Sequence, residues 1–181
     1  MTLQEYQRLA LRTESVRPFG RAVQISRLTH AALGIVTELG EWRDRRRGAN
    51  EIEELGDLCW YLVLASDALG FRLDYGAGWH SGLPLVRDLD VSTAYPHAEK
   101  LADEVKRAWF YRRALNVLEA SRAVRSLFVW VVANAEARGP VGYVFARNIA
   151  KLRKRFPDGF SGKRAINRDL AAELDALEGR L

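Results

Sequence analysis

Apolar residues recur along most of this chain at intervals of three and four positions, which is the spacing of one face of an α-helix. No segment shows sustained alternation of apolar and polar residues, so no β-strand is predicted. The periodic segments predict helices over residues 3–13, 22–47, 50–69, 96–113, 115–137, 141–155 and 164–177. Helices without strands predict an all-α helical bundle, and we expect residues 1–181 to form one domain.

Local residue choices mark where these helices begin and end. Asn50 is the expected N-cap of the third helix, and Glu53 follows it at the spacing of a capping box. Residues 156–160, with the sequence FPDGF, predict a turn after the sixth helix. The glycine-rich stretch 74–90 is interpreted as a long connection between the two halves of the bundle.

Composition narrows the class of protein. The chain has 181 residues, of which 48% are hydrophobic and 28% charged, as is typical of a globular protein with a substantial core. No stretch approaches the roughly 20 apolar residues that span a bilayer, and the N-terminus has no apolar signal segment, so we expect no membrane association and a cytoplasmic location. Cys59 is the only cysteine, which excludes an intrachain disulfide and predicts a packing role.

The net charge of +5 favours an anionic partner, either a nucleic acid or a small molecule with several phosphates. A solvated helix face is the alternative for any single basic cluster. The clusters are Arg43, Arg45, Arg46 and Arg47; Lys106, Arg107, Arg112 and Arg113; and Arg147, Lys151, Arg153, Lys154 and Arg155.

Two acidic pairs carry the clearest chemical signal. Glu38 and Glu41 are three residues apart, as are Glu54 and Asp57, so each pair leaves one face of a helix about one turn apart. Both pairs border apolar runs, where carboxylates are costly to bury unless a cation lies between them. Four carboxylates on two adjacent helices suit a hard divalent ion such as Mg²⁺.

Other residues share the helix faces of these carboxylates. Helical steps back from Glu38 reach Gly34 and His30, and a step forward from Asp57 reaches Tyr61. Gly34 leaves space for a ligand or for a neighbouring helix. His30 is either a donor to a phosphate or base or a core histidine, and Tyr61 either packs or lies beneath a sugar or base.

At these positions the sequence resembles the MazG-like nucleoside triphosphate pyrophosphohydrolases, an all-α group that includes the dimeric dUTPases. The resemblance covers residues 3–69 and 144–161, and it does not obviously cover 74–138. The motifs that carry it are HAALG at 30–34, ELGE at 38–41, EELGDL at 53–58, WYL at 60–62 and NIAKLRKRFPDGF at 148–160.

The resemblance implies a function and a set of site residues. Glu38, Glu41, Glu54 and Asp57 would hold Mg²⁺, with Mn²⁺ as a possible substitute, and would carry the catalysis. The substrate would be a nucleoside triphosphate, with a deoxynucleotide expected, cleaved between the α and β phosphates to a monophosphate and pyrophosphate. A homo-oligomer is left open. The residues implied to contact the nucleotide or its phosphates are His30, Tyr61, Asn148, Lys151 and Arg155.

The middle of the chain is interpreted as a degenerate repeat, in which 97–138 corresponds to the metal-binding helix pair 30–70 and 141–160 supplies the phosphate-binding helix and turn. A shift of 67 residues places His30 on His97, Trp42 on Trp109 and Arg45-Arg46 on Arg112-Arg113. The repeat predicts an internal two-fold axis and one metal site per chain. Chance similarity between two amphipathic helix pairs is the alternative.

Arginines of this second half are candidates to reach the phosphates. Arg122 and Arg125 fall near the positions of Glu54 and Asp57 in the repeat. A surface salt bridge with Glu119 or Asp103 is the other interpretation.

Two other functions compete with this one. A di-iron bundle requires Glu-x-x-His pairs, and no histidine here has a carboxylate three residues before it. A basic helical protein that binds nucleic acid without catalysis is consistent with the net charge. However, it leaves four aligned carboxylates unexplained, so nucleic acid is not the expected partner.

Overall fold

A computed structural model describes residues 1–15, 21–45, 48–75 and 89–179 of the chain. The described residues are helical with no β-strand, so the predicted all-α class is confirmed. None of the helices in these ranges is long and apolar enough to cross a membrane. The helices are α1 (Leu3–Ala10), α2 (Arg21–Asp44), α3 (Ala49–Ala68), α4 (Tyr95–Phe110), α5 (Val117–Glu136), α6 (Val141–Arg155), α7 (Gly162–Ile166) and α8 (Leu170–Glu178).

Two helix pairs form the centre of the bundle. The short link between α2 and α3 makes them an antiparallel hairpin, and α4 and α5 form a second pair. The pairs pack so that α2 contacts α4 and α3 contacts α5. Helix α6 covers α3 and contacts α1, and α8 packs on α6. This arrangement places one end of α6 and the α7–α8 segment beside the acidic motifs of α2 and α3.

The core is formed by the apolar stripes of these helices. Ile35 and Leu39 of α2 are fully buried and lie four residues apart, which is helical spacing. Leu58 of α3 is fully buried as well. Cys59 is also fully buried, and desolvation raises the pKa of its thiol, so its predicted packing role fits its position.

Several helix ends differ from the sequence prediction. The N-cap of helix α3 lies two positions earlier than expected, at Gly48, whose N–H donates to the Glu51 carboxylate at 3.3 Å. Asn50 is therefore inside the helix rather than its N-cap, and its amide donates to Glu54. Helix α4 ends at Phe110, three residues before its predicted end, and helix α5 begins at Val117, two residues after its predicted start. Asn116 caps α5 by accepting the Glu119 N–H.

The predicted final helix over 164–177 is two helices, α7 and α8. Asp169 interrupts the helical pattern because its carboxylate accepts the Ala172 N–H and caps α8. The predicted connection 74–90 lies largely outside the described residues, which omit 76–88, and so do Arg46 and Arg47 of the first basic cluster.

Two glycines allow neighbouring elements to approach the acidic motifs. A Cβ on Gly34 would lie 2.2 Å from the Tyr61 ring, so the space beside the carboxylates is filled by the facing helix. A Cβ on Gly56 would lie 2.7 Å from the Asn148 Cβ, which brings α6 against α3. By contrast, none of the described residues lies within 4 Å of a Cβ on Gly40, its chain neighbours and its own helix backbone apart.

Candidate metal centre

Three of the four predicted carboxylates meet where α2 faces α3. One oxygen from each of Glu38, Glu41 and Glu54 lies within 4.8 Å of the others. Helical spacing brings Glu38 and Glu41 onto one face of α2, and the antiparallel packing places Glu54 opposite them. Glu54 is only 4% exposed, Glu38 is partly buried and Glu41 is open to solvent. It is the only such acidic group among the residues that the structure describes.

These carboxylates repel one another. Burial, reinforced by the charges of Asp57 and Glu41, raises the pKa of Glu38 to about 9. Burial, together with Glu41 and Asp57, raises the pKa of Glu54 to about 7. Such a cluster gains free energy by binding a cation, because a cation offsets the repulsion that disfavours ionisation.

Asp57 has different partners from the other three carboxylates. Its Oδ1 accepts a hydrogen bond of 2.8 Å from the Asn148 amide, and its Oδ2 accepts one of 2.5 Å from the Lys151 Nζ. Lys151 also contacts Glu53 at 3.2 Å. The Tyr6 hydroxyl donates to Asn148 Oδ1 at 2.9 Å. These bonds hold Asp57 in one orientation beside the cluster.

Asn148 and Lys151 therefore lie behind Asp57. Both are fully buried, although they were predicted to face a nucleotide. Burial lowers the pKa of Lys151, but the charges of Asp57 and Glu53 outweigh it and raise the pKa, so Lys151 stays charged. In this structure the two side chains contact Asp57 rather than the adjoining cavity, and a contact with substrate stays a prediction.

A cavity of about 530 Å³ opens beside the cluster. The carboxylates of α2 and α3 line it together with the end of α6 and the α7–α8 segment. Its lining comprises Thr13, Ser15, His30, Glu38, Glu41, Asn50, Glu53, Glu54, Asp57, Trp60, Tyr61, Leu152, Arg155, Phe156, Phe160, Ala165, Arg168 and Leu170.

Aromatic rings line part of this cavity. His30 and Tyr61 pack edge to face with ring centroids 5.5 Å apart, and both contact Trp60. Burial, followed by the charges of Glu38 and Asp57, raises the pKa of Tyr61 to about 12, so its hydroxyl remains a donor. The structure thus brings His30 and Tyr61 to the carboxylates, as their helical spacing indicated.

Several polar residues of this cavity were not predicted from the sequence. Arg168 and Glu53 line it, and the buried Glu173 accepts hydrogen bonds from both Arg155 and Arg168. Arg168 lies in the break between α7 and α8, which the prediction of one continuous helix concealed. The Asp169 N-cap was the signal that would have revealed this break.

The arginines of the second helix pair lie elsewhere. Arg122 Nη1 contacts Glu119 at 2.7 Å, which is the surface salt bridge considered as the alternative. The guanidinium of Arg125 lies over the Phe71 ring at 4.2 Å. Neither residue lines the cavity, and in this structure neither faces the carboxylate cluster.

The donor set fits a divalent cation. The carboxylates offer hard oxygen ligands at close separation, and the negative potential that makes them repel one another also attracts a cation.

No protein-family model, no curated protein and no solved structure matches this chain. The interpretation of the site rests on its residues and their geometry.

Proposed function

We propose that this protein is a Mg²⁺-dependent nucleoside triphosphate pyrophosphohydrolase of the MazG-like kind. The observation that supports it best is the meeting of Glu38, Glu41 and Glu54 on the wall of a cavity that also carries arginines and aromatic rings. Carboxylates suit a metal, arginines suit phosphates and rings suit a base. A metal-bound nucleotide has these three parts.

Within this proposal Glu38, Glu41 and Glu54 hold Mg²⁺, and Asp57 completes the set. Bound Mg²⁺ would polarise the phosphoryl oxygens and offset their charge. Lys151 and Asn148 act as positioning residues, because their hydrogen bonds fix the Asp57 carboxylate. Their role is therefore exerted through Asp57.

The reaction joins a water oxygen to the α-phosphorus. The bond from that phosphorus to the αβ-bridging oxygen breaks, and its electron pair leaves with pyrophosphate. A carboxylate of the cluster that is not engaged in ligation accepts the proton of the water. His30 and Tyr61 lie beside the cluster and would contact the sugar or base, with a deoxynucleotide as the proposed substrate.

A panel of ribo- and deoxynucleoside triphosphates, assayed with Mg²⁺ or Mn²⁺ for pyrophosphate and orthophosphate, tests this proposal. We expect pyrophosphate and a monophosphate as products, and no turnover in excess EDTA. Orthophosphate as the product, or full activity in EDTA, would contradict it. Sequence-selective binding to DNA without hydrolysis of any nucleotide would favour the nucleic-acid-binding alternative.

A further inference from the structure

The cationic side of the cavity is built around a single buried carboxylate. Glu173 of α8 is 3% exposed and accepts hydrogen bonds from two guanidiniums. Arg155 binds it through two parallel bonds, with Nε to Oε1 at 2.9 Å and Nη2 to Oε2 at 2.5 Å. Arg168 binds the same carboxylate, with Nη2 to Oε2 at 2.6 Å and Nε to Oε2 at 3.2 Å.

This geometry leaves one part of each guanidinium for another ligand. Both arginines use Nε and Nη2 on Glu173, and their Nη1 groups have no hydrogen-bond partner among the residues that the structure describes. Both side chains line the cavity that holds the carboxylate cluster. Arginine donors fixed in this way suit phosphoryl oxygens, which accept several bonds at once.

The charges of this arrangement do not balance. Burial raises the pKa of Glu173, but the hydrogen bonds from Arg155 and Arg168 outweigh it and lower the pKa to about 2, so the carboxylate is ionised. One carboxylate then faces two guanidiniums. Glu53 approaches Arg168 only at 3.9 Å. If Glu173 served only to fasten α8 to α6, Arg155 alone would suffice.

We infer that Arg155 and Arg168, held by Glu173, form a clamp for the two phosphoryl groups that leave as pyrophosphate. This inference rests on the proposed function, because the carboxylate cluster that lines the same cavity would hold the metal that accompanies that anion. Arg155 and Arg168 contact the ligand, whereas Glu173 is a positioning residue that fixes both guanidiniums. The ligand class is a diphosphate without any requirement for a base.

Pyrophosphate binding to the full-length protein in Mg²⁺, measured by calorimetry, tests the clamp without turnover. We expect Arg168→Ala to weaken pyrophosphate binding at least tenfold and to change nucleoside monophosphate binding by less than twofold. Arg164→Ala is the matched control, because Arg164 carries the same charge on α7 but pairs with Asp158 outside the cavity. Equal pyrophosphate affinity in wild type and Arg168→Ala would overturn the inference.

A second pair of variants separates position from charge. Arg168→Lys keeps the charge but loses the planar fork, so we expect it to weaken pyrophosphate binding as well. Glu173→Gln removes a negative charge, which by electrostatics alone would tighten anion binding. We expect weaker binding instead, because the guanidiniums lose their anchor, and tighter binding would overturn the positioning role. Thermal unfolding of each variant identifies those that fold.

The two proposals fail in different ways. If nucleoside triphosphates yield pyrophosphate but Arg168→Ala changes neither its affinity for pyrophosphate nor KM, the clamp is wrong and the proposed function stands. If no nucleotide is hydrolysed but pyrophosphate binding still depends on Arg168, the function is wrong and the clamp stands. No pyrophosphate binding by the wild-type protein would overturn the clamp directly.

Discussion

The α2–α3 and α4–α5 helix pairs pack against each other, yet they differ in what their contact faces carry. When the chain is aligned on itself with a shift of 67 residues, as in the proposed repeat, Glu38 of α2 corresponds to Val105 of α4. Val105 is 4% exposed in the core, whereas Glu38 belongs to the carboxylate cluster. The second pair has no comparable acidic cluster among the described residues.

The two tryptophans that the shift aligns also differ. Trp42 is 1% exposed, with the guanidinium of Arg45 lying 3.7 Å from its ring and the ring of Trp130 packed against its edge. Trp109 is 46% exposed, and its neighbour Phe110 is 70% exposed. The first pair therefore buries its aromatic end within the bundle, and the second pair presents it to solvent.

This difference separates what determines the fold from what determines the site. Both pairs have the apolar stripes that pack helices together and both carry ion pairs, whereas the acidic cluster found among the described residues lies on the first pair. The packing of α2 on α4 and of α3 on α5 is compatible with an internal two-fold relation. The repeat itself stays a prediction, since a shared stripe is common to amphipathic helices.

The largest expected effect is on turnover. Glu38→Gln keeps the shape of the side chain but removes one oxygen of the proposed metal site, so we expect the proposed hydrolysis to fall by at least about 100-fold. Asp103→Asn is the matched control on α4, because Asp103 pairs with Lys106 and Arg107 at the surface. Steady-state kinetics of both variants check this, and comparable losses would show that the two helix pairs are not functionally distinct.

Lys151 gives the next largest effect, now on stability. Its charge is fully buried between Asp57 and Glu53, so Lys151→Met leaves two carboxylates without their cation and should cost about 3 kcal/mol. Lys106→Met removes a half-exposed partner of Asp103 on α4, in an ion pair that solvent screens, and should cost much less. Urea unfolding of both variants measures the difference, and equal costs would contradict it.

The Lys151 contacts show how far a sequence can be interpreted. Helical periodicity placed Glu38 and Glu41 on one face, and the short link that pairs α2 with α3 brings Glu54 to them. Periodicity also located Lys151 on α6, but it could not show that this side chain is buried. Its burial depends on the distance between α3 and α6, which Gly56 sets through tertiary packing.

The Glu173 contacts were missed for a different reason. A buried glutamate near the end of a chain has the same sequence signature as a solvated one, and its partners Arg155 and Arg168 lie on separate segments. Only the turn at Asp169 brings them together. Helix boundaries, rather than helix existence, limited the prediction of the site.

A moderate effect is expected from pH in the metal-free protein. The pKa values of Glu38 and Glu54 are raised to about 9 and about 7, so the folded state binds more protons than the unfolded state between these values and the ordinary value near 4.5. Stability is therefore greatest at low pH within this range and is lost as pH rises. We expect a fall of about 2 kcal/mol from about pH 5 to pH 9, a discounted figure because solvent reaches the cluster.

Denaturant unfolding in EDTA at several pH values measures this loss. Saturating Mg²⁺ should remove most of it, because the cation replaces the protons in the cluster. Glu38→Gln should flatten the metal-free profile, leaving stability unchanged near pH 5 and raising it at about pH 7, because wild-type Glu38 must take up a proton on folding there and a glutamine need not. A metal-free profile that rises with pH would contradict the assignment of the cluster.

The smallest effect compares the connections within the two helix pairs. Between α2 and α3 the positive φ belongs to Gly48, at 94°, whereas between α4 and α5 it belongs to Arg112, at 53°, a value typical of the left-handed conformation. A side chain costs roughly 1 kcal/mol in that conformation, so Arg112→Gly should raise stability by about that amount and leave turnover unchanged. Arg113→Gly is the control, because its φ is not positive and glycine there only adds freedom to the unfolded chain. Gly48→Ala should lower stability by at least as much, since at φ 94° and ψ −134° the backbone opposes a side chain, while no atom of the described residues lies within 4 Å of the added Cβ. Thermal unfolding of the three variants checks the signs, and stabilisation by Arg113→Gly but not by Arg112→Gly would show that backbone strain does not distinguish the two connections.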